Sequence, residues 1–429
     1  MSRISSVFLP TNEYLGILWA LAGVKDVAVI NHGTAGCNFF EFVTASQRTR
    51  GFIYDRFCST SLEMEDIALS GGEDKLKAVI KEVAEKESIS LIAIIANPVS
   101  ALIGVDVEAI AKEMEPVVQQ PILAFNNTTW KVDAENGVEE AIDRLIRFYC
   151  PKLAVKKLGI EEGSVRVNII GPTVNTFNWA ADEKELKRLL ALIGLEINIV
   201  FPYETTTEAL KSLPEADLNI VTSTAGVKAA NYLEEFYDIP YIYGLPYGDK
   251  GTFQWLKQVA EMVQSELPAQ LNELDSSFSY HHYCEMISGG EFYQRDWKTV
   301  LACPPGMAKG FIQMVKEDWN LPLEAVRLTS QPKLDELKEI KSLGVNKVYV
   351  TPGELEWKKA LKEIQPFILL GSAEDTALAK EVPVQLRITA PAFDVFNIYD
   401  GNPLVGYVGY QSLTQNLFQE ISRHAWTKK

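Results

Sequence analysis

The chain has four histidines and five cysteines in 429 residues, and one of each falls in a single stretch, NHGTAGCNFF, at residues 31–40. There Gly33 and Gly36 lie between His32 and Cys37, directly after the apolar run VAVI. A thiolate is a metal ligand or a nucleophile, and an imidazole is a ligand or a proton carrier. Glycines admit positive φ and let a backbone or an inorganic group come close. Spacing alone reads Cys37 as a small buried residue after a strand, because a lone cysteine lacks metal-site spacing. His32 reads as a strand-end residue bonded to backbone. Cys58 in RFCSTSLEMED, Cys150 at a helix end and Cys303 in LACPPG all read first as packing. His281, His282 and Cys284 form HHYC, which matches no standard zinc spacing and reads as a loop. Glu65 and Asp66 read as closing the turn before GGEDKL, and Trp130, Phe177, Trp179 and Trp255 as core or interface aromatics.

These residues need elements to place them, and the chain alternates strand and helix almost to its end. DVAVINHG, LIAIIAN and PILAFNN read as strands, with helices GGEDKLKAVIKEVAEKE, VDVEAIAKEM and GVEEAIDRLIRFYC between and after them. Residues 151–163 read as a linker. The cycle restarts with VRVNIIG, INIVFP, LNIVTS and PYIYG, and again with KTVLACPPG, AVRLTS, KVYVT, FILLGS and VPVQLRI. Strands this apolar imply sheets covered on both faces, and helical crossovers make them parallel. The fold class is therefore α/β: three Rossmann-like domains, each a mainly parallel sheet flanked by helices. The expected boundaries are residues 1–155, 164–268 and 269–429, the last with a C-terminal helix. Ligands in such sheets lie beyond the carboxyl ends of strands. Those ends carry NHGTAGC, ANPVSALIG, GPTVNT, TSTAG and ACPPG, which are expected to face shared clefts.

Composition excludes several classes. A formal net charge of −16 argues against nucleic acid or an anionic membrane as a partner. Five irregularly spaced cysteines form no disulfide framework and suit a reducing cytoplasm. YLGILWALAGV is too short for a signal h-region, and Asn97-Pro98 breaks the uncharged run at 88–105, so no membrane span is expected. There is no Walker-type phosphate loop, dinucleotide fingerprint, C-x-x-C, H-E-x-x-H or G-x-S-x-G.

In series, NHGTAGC, CSTSLEMEDIALSGGEDKLKAVI, ANPVSALIGVDVEAIAKEM and the tail VPVQLRITAPAFDVFNIYDGNPLVGYVGYQSLTQNLFQEI resemble the nitrogenase component 1 superfamily. The likeness covers nearly the whole chain, and the tail is similar to the end of its β-type subunits. Family members hold an iron–sulfur cluster on three loops of the first domain, at an interface between two similar subunits. The resemblance places those ligand positions at Asn12, Cys37 and Pro98, with Asn97 beside the last, so one of three keeps its cysteine. It also places the α-subunit's cofactor cysteine near Thr222–Gly226, where none stands, and finds no cofactor histidine around RITAPAF.

The resemblance thus implies a β-like or cofactor-scaffold-like subunit of an ATP-dependent electron-transfer oxidoreductase. Its cofactor would be an iron–sulfur cluster, 4Fe-4S or larger, shared with another subunit. Cys37 is the implied ligand and Cys58 a secondary one, with Gly33, Gly36 and Asn97 around the cluster. The implied partners are an α-like subunit or a second copy, in a dimer or α2β2-like assembly, and a P-loop iron-protein ATPase as electron donor. The apolar segment YLGILWALAG is expected to supply part of the subunit interface. The alternatives are a non-catalytic scaffold for metallocofactor assembly and a clusterless small-molecule binding protein, because fold alone does not choose.

Overall fold

Each strand–helix alternation becomes a crossover in a parallel sheet. The computed structural model describes residues 11–36, 56–69, 71–126, 133–152, 165–268, 297–392, 395 and 401–427. The first sheet contains β1 (Val27–His32), β2 (Phe57–Ser59), β3 (Leu91–Ala96) and β4 (Ile122–Phe125), in the order β2-β1-β3-β4. The second contains β5 (Val165–Ile170), β6 (Leu195–Phe201), β7 (Leu218–Val221) and β8 (Tyr241–Tyr243), in the order β6-β5-β7-β8. The third contains β9 (Thr299–Cys303), β10 (Leu323–Leu328), β11 (Lys347–Val350), β12 (Ile368–Gly371) and β13 (Val384–Arg387), in the order β11-β10-β9-β12-β13. Every pairing between these strands is parallel.

The first strand of each sheet has neighbours on both sides, so the chain turns back past it. That makes the carboxyl ends of β1 and β3, β5 and β7, and β9 and β12 the switch points where crevices form. All five loops picked out from the sequence begin at these ends.

Both faces of the first sheet are covered, which is why every residue of β1 and β3 is buried. The helix Glu73–Ala84 lays Leu76, Ile80 and Val83 on one face, at the spacing of a single helical stripe. Helices Glu13–Ala22 and Ala134–Tyr149 cover the other face and continue into the core around Ile170 and Phe201 of the second sheet. These two helices touch backbone to backbone. A Cβ on Gly16 would lie 1.8 Å from the Ala134 carbonyl oxygen, and one on Gly137 would lie 1.9 Å from that of Glu13.

The apolarity of YLGILWALAG is therefore consumed inside the chain: Tyr14, Leu15, Ile17, Leu18, Ala20 and Leu21 are all buried. This corrects the expectation that the segment forms a subunit interface. A second core joins the second and third sheets. The C-terminal helix Gly406–Thr427 packs across it on helices Trp179–Leu192 and Asp249–Met262, burying Leu413, Leu417 and Ile421. Among the described residues, no helix is long and apolar enough to cross a membrane.

Candidate functional sites at the strand ends

At the end of β1 the chain is held from three directions. The His32 carbonyl accepts from Asn97 N–H at 3.1 Å and from Ser100 Oγ at 2.5 Å. Gly33 N–H donates to Thr60 Oγ1 at 3.0 Å, and the Gly33 carbonyl accepts from Leu62 N–H at 2.8 Å. His32 is fully buried, and its Nε2 lies 2.9 Å from the Gly71 carbonyl, an acceptor, so Nε2 carries the proton. His32 thus bonds backbone, as its position in the sequence suggests. Burial lowers its pKa and keeps the ring neutral, while Nδ1 is buried without a partner among the described residues.

Asn97 performs a capping role. Its Oδ1 accepts from Val99 N–H at 2.9 Å and Ser100 N–H at 3.0 Å, starting the helix Pro98–Leu102 with proline in its first turn. Its Nδ2 is buried and has no partner among the described residues. A Cβ on Gly33 would lie 1.7 Å from that Nδ2. Gly33 is therefore required by the close approach of Asn97; among described residues neither Gly33 nor Gly36 has positive φ.

Gly36 is the opposite case. It is exposed and already helical, and a Cβ there would meet nothing within 4 Å among the described residues. Cys37 follows it and lies outside the described residues, as do His281, His282, Cys284 and Trp130. Asn12, at another implied ligand position, caps the helix Glu13–Ala22 by accepting from Leu15 N–H at 3.0 Å.

The other described cysteines show the marks of packing. Cys58 on β2 pairs with Ile30 of β1 and packs into the core beneath helix Glu73–Ala84, where burial raises its pKa and keeps the thiol protonated. Cys150 is buried, pushed up to about 12, with Sγ 3.4 Å from the Leu210 carbonyl. Cys303 ends β9 within the shared core and is also raised by burial. Asp66 closes its turn by accepting from Glu63 N–H at 2.8 Å and pairing with Lys75 at 2.6 Å. Among the described residues, no three histidine, cysteine or acidic side chains form a metal-binding group.

The donor set bears on an iron–sulfur cluster. Two of the three implied ligand loops end in asparagine caps whose oxygens are already engaged by helix N–H groups. The third opens to solvent at Gly36 just before a thiol. These residues fit a cluster to which this chain gives one thiolate and another chain the rest; they do not fit a cluster held by this chain alone. Three large apolar side chains stand exposed beyond the same strand ends, Met64 at 80%, Leu102 at 82% and Ile103 at 38%.

The loops of the second and third sheets meet elsewhere. A cavity of about 180 Å³ lies among all three sheets, with Gly171, Thr222 and Pro304 from the ends of β5, β7 and β9 in its wall. Glu135 and Trp19 reach it from the helical pair of the first sheet, and Thr389 from beyond β13. Of the five loops expected to face shared clefts, those after β5, β7 and β9 line this cavity, and residues 31–36 and 96–104 are absent from its wall. The two segments that the resemblance aligns with the α-type subunit's cofactor cysteine and histidine, and that hold neither residue in this sequence, converge here around Thr222 and Thr389. The described wall contains neither a cysteine nor a histidine.

Asp182 in that wall carries no functional signal in the sequence, where it only marks the start of the helix DEKELKRLLALIG. It is buried, and desolvation pushes it up to about 7 although Oδ1 accepts from Leu404 N–H at 2.5 Å and Val405 N–H at 3.2 Å. Its partners are more than two hundred residues away, so no local pattern could reveal it.

The protein-family model for nitrogenase component 1 type oxidoreductases matches residues 13–422. The B-type subunit of the light-independent protochlorophyllide reductase of Nostoc sp. is 23% identical over 95% of this chain and 82% of its own length. Its counterpart from Zygnema circumcarinatum is 21% identical with the same coverage. Among solved structures, nitrogenase Cp1 at pH 6.5 superposes with a TM-score of 0.76 at 19% identity, covering 99% of this chain and 95% of that one. That similarity carries the fold: three parallel sheets arranged as in nitrogenase. With a family match across nearly its whole length, the chain belongs to the nitrogenase component 1 type oxidoreductases.

Proposed function

We propose that this protein is the β-like subunit of a nitrogenase-like, ATP-dependent electron-transfer oxidoreductase, and that it shares an iron–sulfur cluster with an α-like partner. Cys37 is its thiolate ligand, Gly33 and Gly36 shape the loop, Asn97 fixes the loop's base, and Cys58 is a reserve thiol that the packing of β2 disfavours. The domains are assigned to residues 1–155, 164–268 and 269–429. The observation that carries the reading is the turn from His32 to Gly36. It is bonded rigidly to β3 and Thr60 at one end and open at the other, immediately before a thiol.

When bound, the cluster supplies one-electron storage and transfer. The chain's own residues hold the loop still and keep His32 neutral beside it. Met64, Leu102 and Ile103 offer apolar surface to a partner at the same end. The lack of any cysteine or histidine in the described wall of the interdomain cavity supports a β-like rather than a cofactor-bearing α-like role. The partner supplies the remaining ligands, and a separate P-loop iron protein supplies electrons with ATP hydrolysis. The relatives named above are reductases, and the reaction class proposed here is likewise reduction.

The test is electron paramagnetic resonance of the complex co-expressed with its α-like subunit and mixed anaerobically with reduced iron protein. The expected result is a cluster signal that changes only when ATP is added. A signal indifferent to ATP, in a complex that reduces no substrate, supports the assembly-scaffold reading; absence of any cluster supports neither.

A further inference from the structure

The interdomain cavity has chemistry of its own, independent of the cluster. Its volume of about 180 Å³ is close to the ~150 Å³ that accommodates one benzene ring and below the ~300 Å³ at which drug-sized sites begin. One ring with one substituent fits. Trp19, Phe177, Trp179 and Tyr247 give it flat apolar walls.

Charge then selects among one-ring compounds. The described wall contains no lysine, arginine or histidine, and its ionisable carboxyls are Glu135 and Asp182. An anion entering it loses water and gains no cation. Two polar groups ask for complementary partners. Trp179 is only 2% exposed and its Nε1–H is buried with no hydrogen bond among the described residues, a costly state that an acceptor atom on a ligand would relieve. Glu135 uses Oε1 to accept from Thr224 Oγ1 at 2.7 Å and Ala225 N–H at 3.1 Å, which leaves its second oxygen for a donor.

We propose that this cavity binds a small, uncharged, single-ring nitrogen heterocycle bearing an amino group: a ring nitrogen accepts from Trp179, and the amino group donates to the acidic side of the wall. A phosphate, a carboxylate and a purely hydrocarbon ring each leave one of these groups unanswered.

Calorimetric titration with three probes at neutral pH tests it: 2-aminopyrimidine, aniline, which keeps the amino group and loses the ring acceptors, and benzoate. The expected order is 2-aminopyrimidine about tenfold or more tighter than aniline, corresponding to one buried hydrogen bond, with benzoate not binding. Trp179→Phe keeps the ring and removes the donor, so the two amines should then bind within about twofold of each other. Met307→Trp fills the rim from a partly exposed wall position and should weaken both amines, a check that stands even if Trp179→Phe misfolds. The proposal is overturned if 2-aminopyrimidine does not bind at millimolar concentration or if benzoate binds as well. It is also overturned if a folded Trp179→Phe keeps the preference, or if Met307→Trp binds unchanged. Iron content measured on the same wild-type sample reports separately on the cluster reading.

Discussion

The turn after β1 and the cavity among the three sheets are both made at switch points of parallel sheets, yet they are built in opposite ways. Around Gly33 space has been removed: the Asn97 amide fills the place of a side chain, and most polar atoms are spent on helix caps and strand ends. In the cavity, space has been kept, with a tryptophan N–H left unanswered and a carboxyl held out of water. The same topology can therefore produce a rigid base that displays something beyond itself or a hollow that encloses something. Packing at the strand ends decides which.

The largest expected effect tests the rigid half. Gly33→Ala places a methyl group on the Asn97 amide, whose displacement also undoes a helix cap; it should cost about 3 kcal/mol or more in urea unfolding. Gly36→Ala meets open space and should stay within about 0.5 kcal/mol of wild type. Equal costs at the two glycines would break the contrast.

Titration gives the next effect, with opposite signs in the two regions. Asp182 has an unfolded pKa near 3.8 and is pushed up to about 7 in the fold. Between those values the folded state holds a proton that the unfolded state has released, so stability falls as pH rises across that window. The slope from this group is about 1.4 kcal/mol per pH unit. Asp182→Asn should remove that slope. His32 is lowered from 6.5, so its contribution is present above 6.5 and is lost as pH falls from there toward the folded value. His32→Gln should flatten the acid side alone. Stability curves against pH for both variants check the two signs.

The smallest effect concerns caps. Asn12→Ala should cost about 1 kcal/mol in thermal or urea unfolding, because Asn12 satisfies one N–H of an otherwise well-packed helix. Asn97→Ala should cost more, since Asn97 caps two N–H groups and fills the space over Gly33. A reversal would mean that the turn after β1 is less tightly supported than its bonds imply.

Much of the rigid half is legible in the sequence, because its signals are local. VAVI and LIAIIA announce buried strands, and Asn97-Pro98 is a helix-start pair readable without any tertiary knowledge. The strand β2 carries no such signal: Phe57–Ser59 is a three-residue edge with no apolar run, and pairing with β1 makes it a strand. The N-terminal helix is visibly apolar in the sequence, but its partner is another helix of the same chain rather than another subunit. Gly16 and Gly137 let the two helices touch, and the strands of the first sheet lie between them in the sequence. The hollow half is almost illegible, since Trp179 and Asp182 on one helix, Glu135 on another and Thr389 beyond β13 come from three distant parts of the sequence and acquire meaning only from the packing of three sheets. The strand-end loops point to its location, and the fold supplies its chemistry.

The central claim is that this chain contributes a single thiolate, Cys37, to a shared cluster displayed beyond the rigid turn. Its most direct test is iron per subunit in protein purified without oxygen together with its copurifying partner, for wild type, Cys37→Ser and Cys150→Ser. Iron is expected in wild type and in Cys150→Ser, where a buried packing thiol is changed, with a clear loss and an altered cluster spectrum in Cys37→Ser while the fold persists. Full iron in Cys37→Ser, or none in wild type, would contradict it.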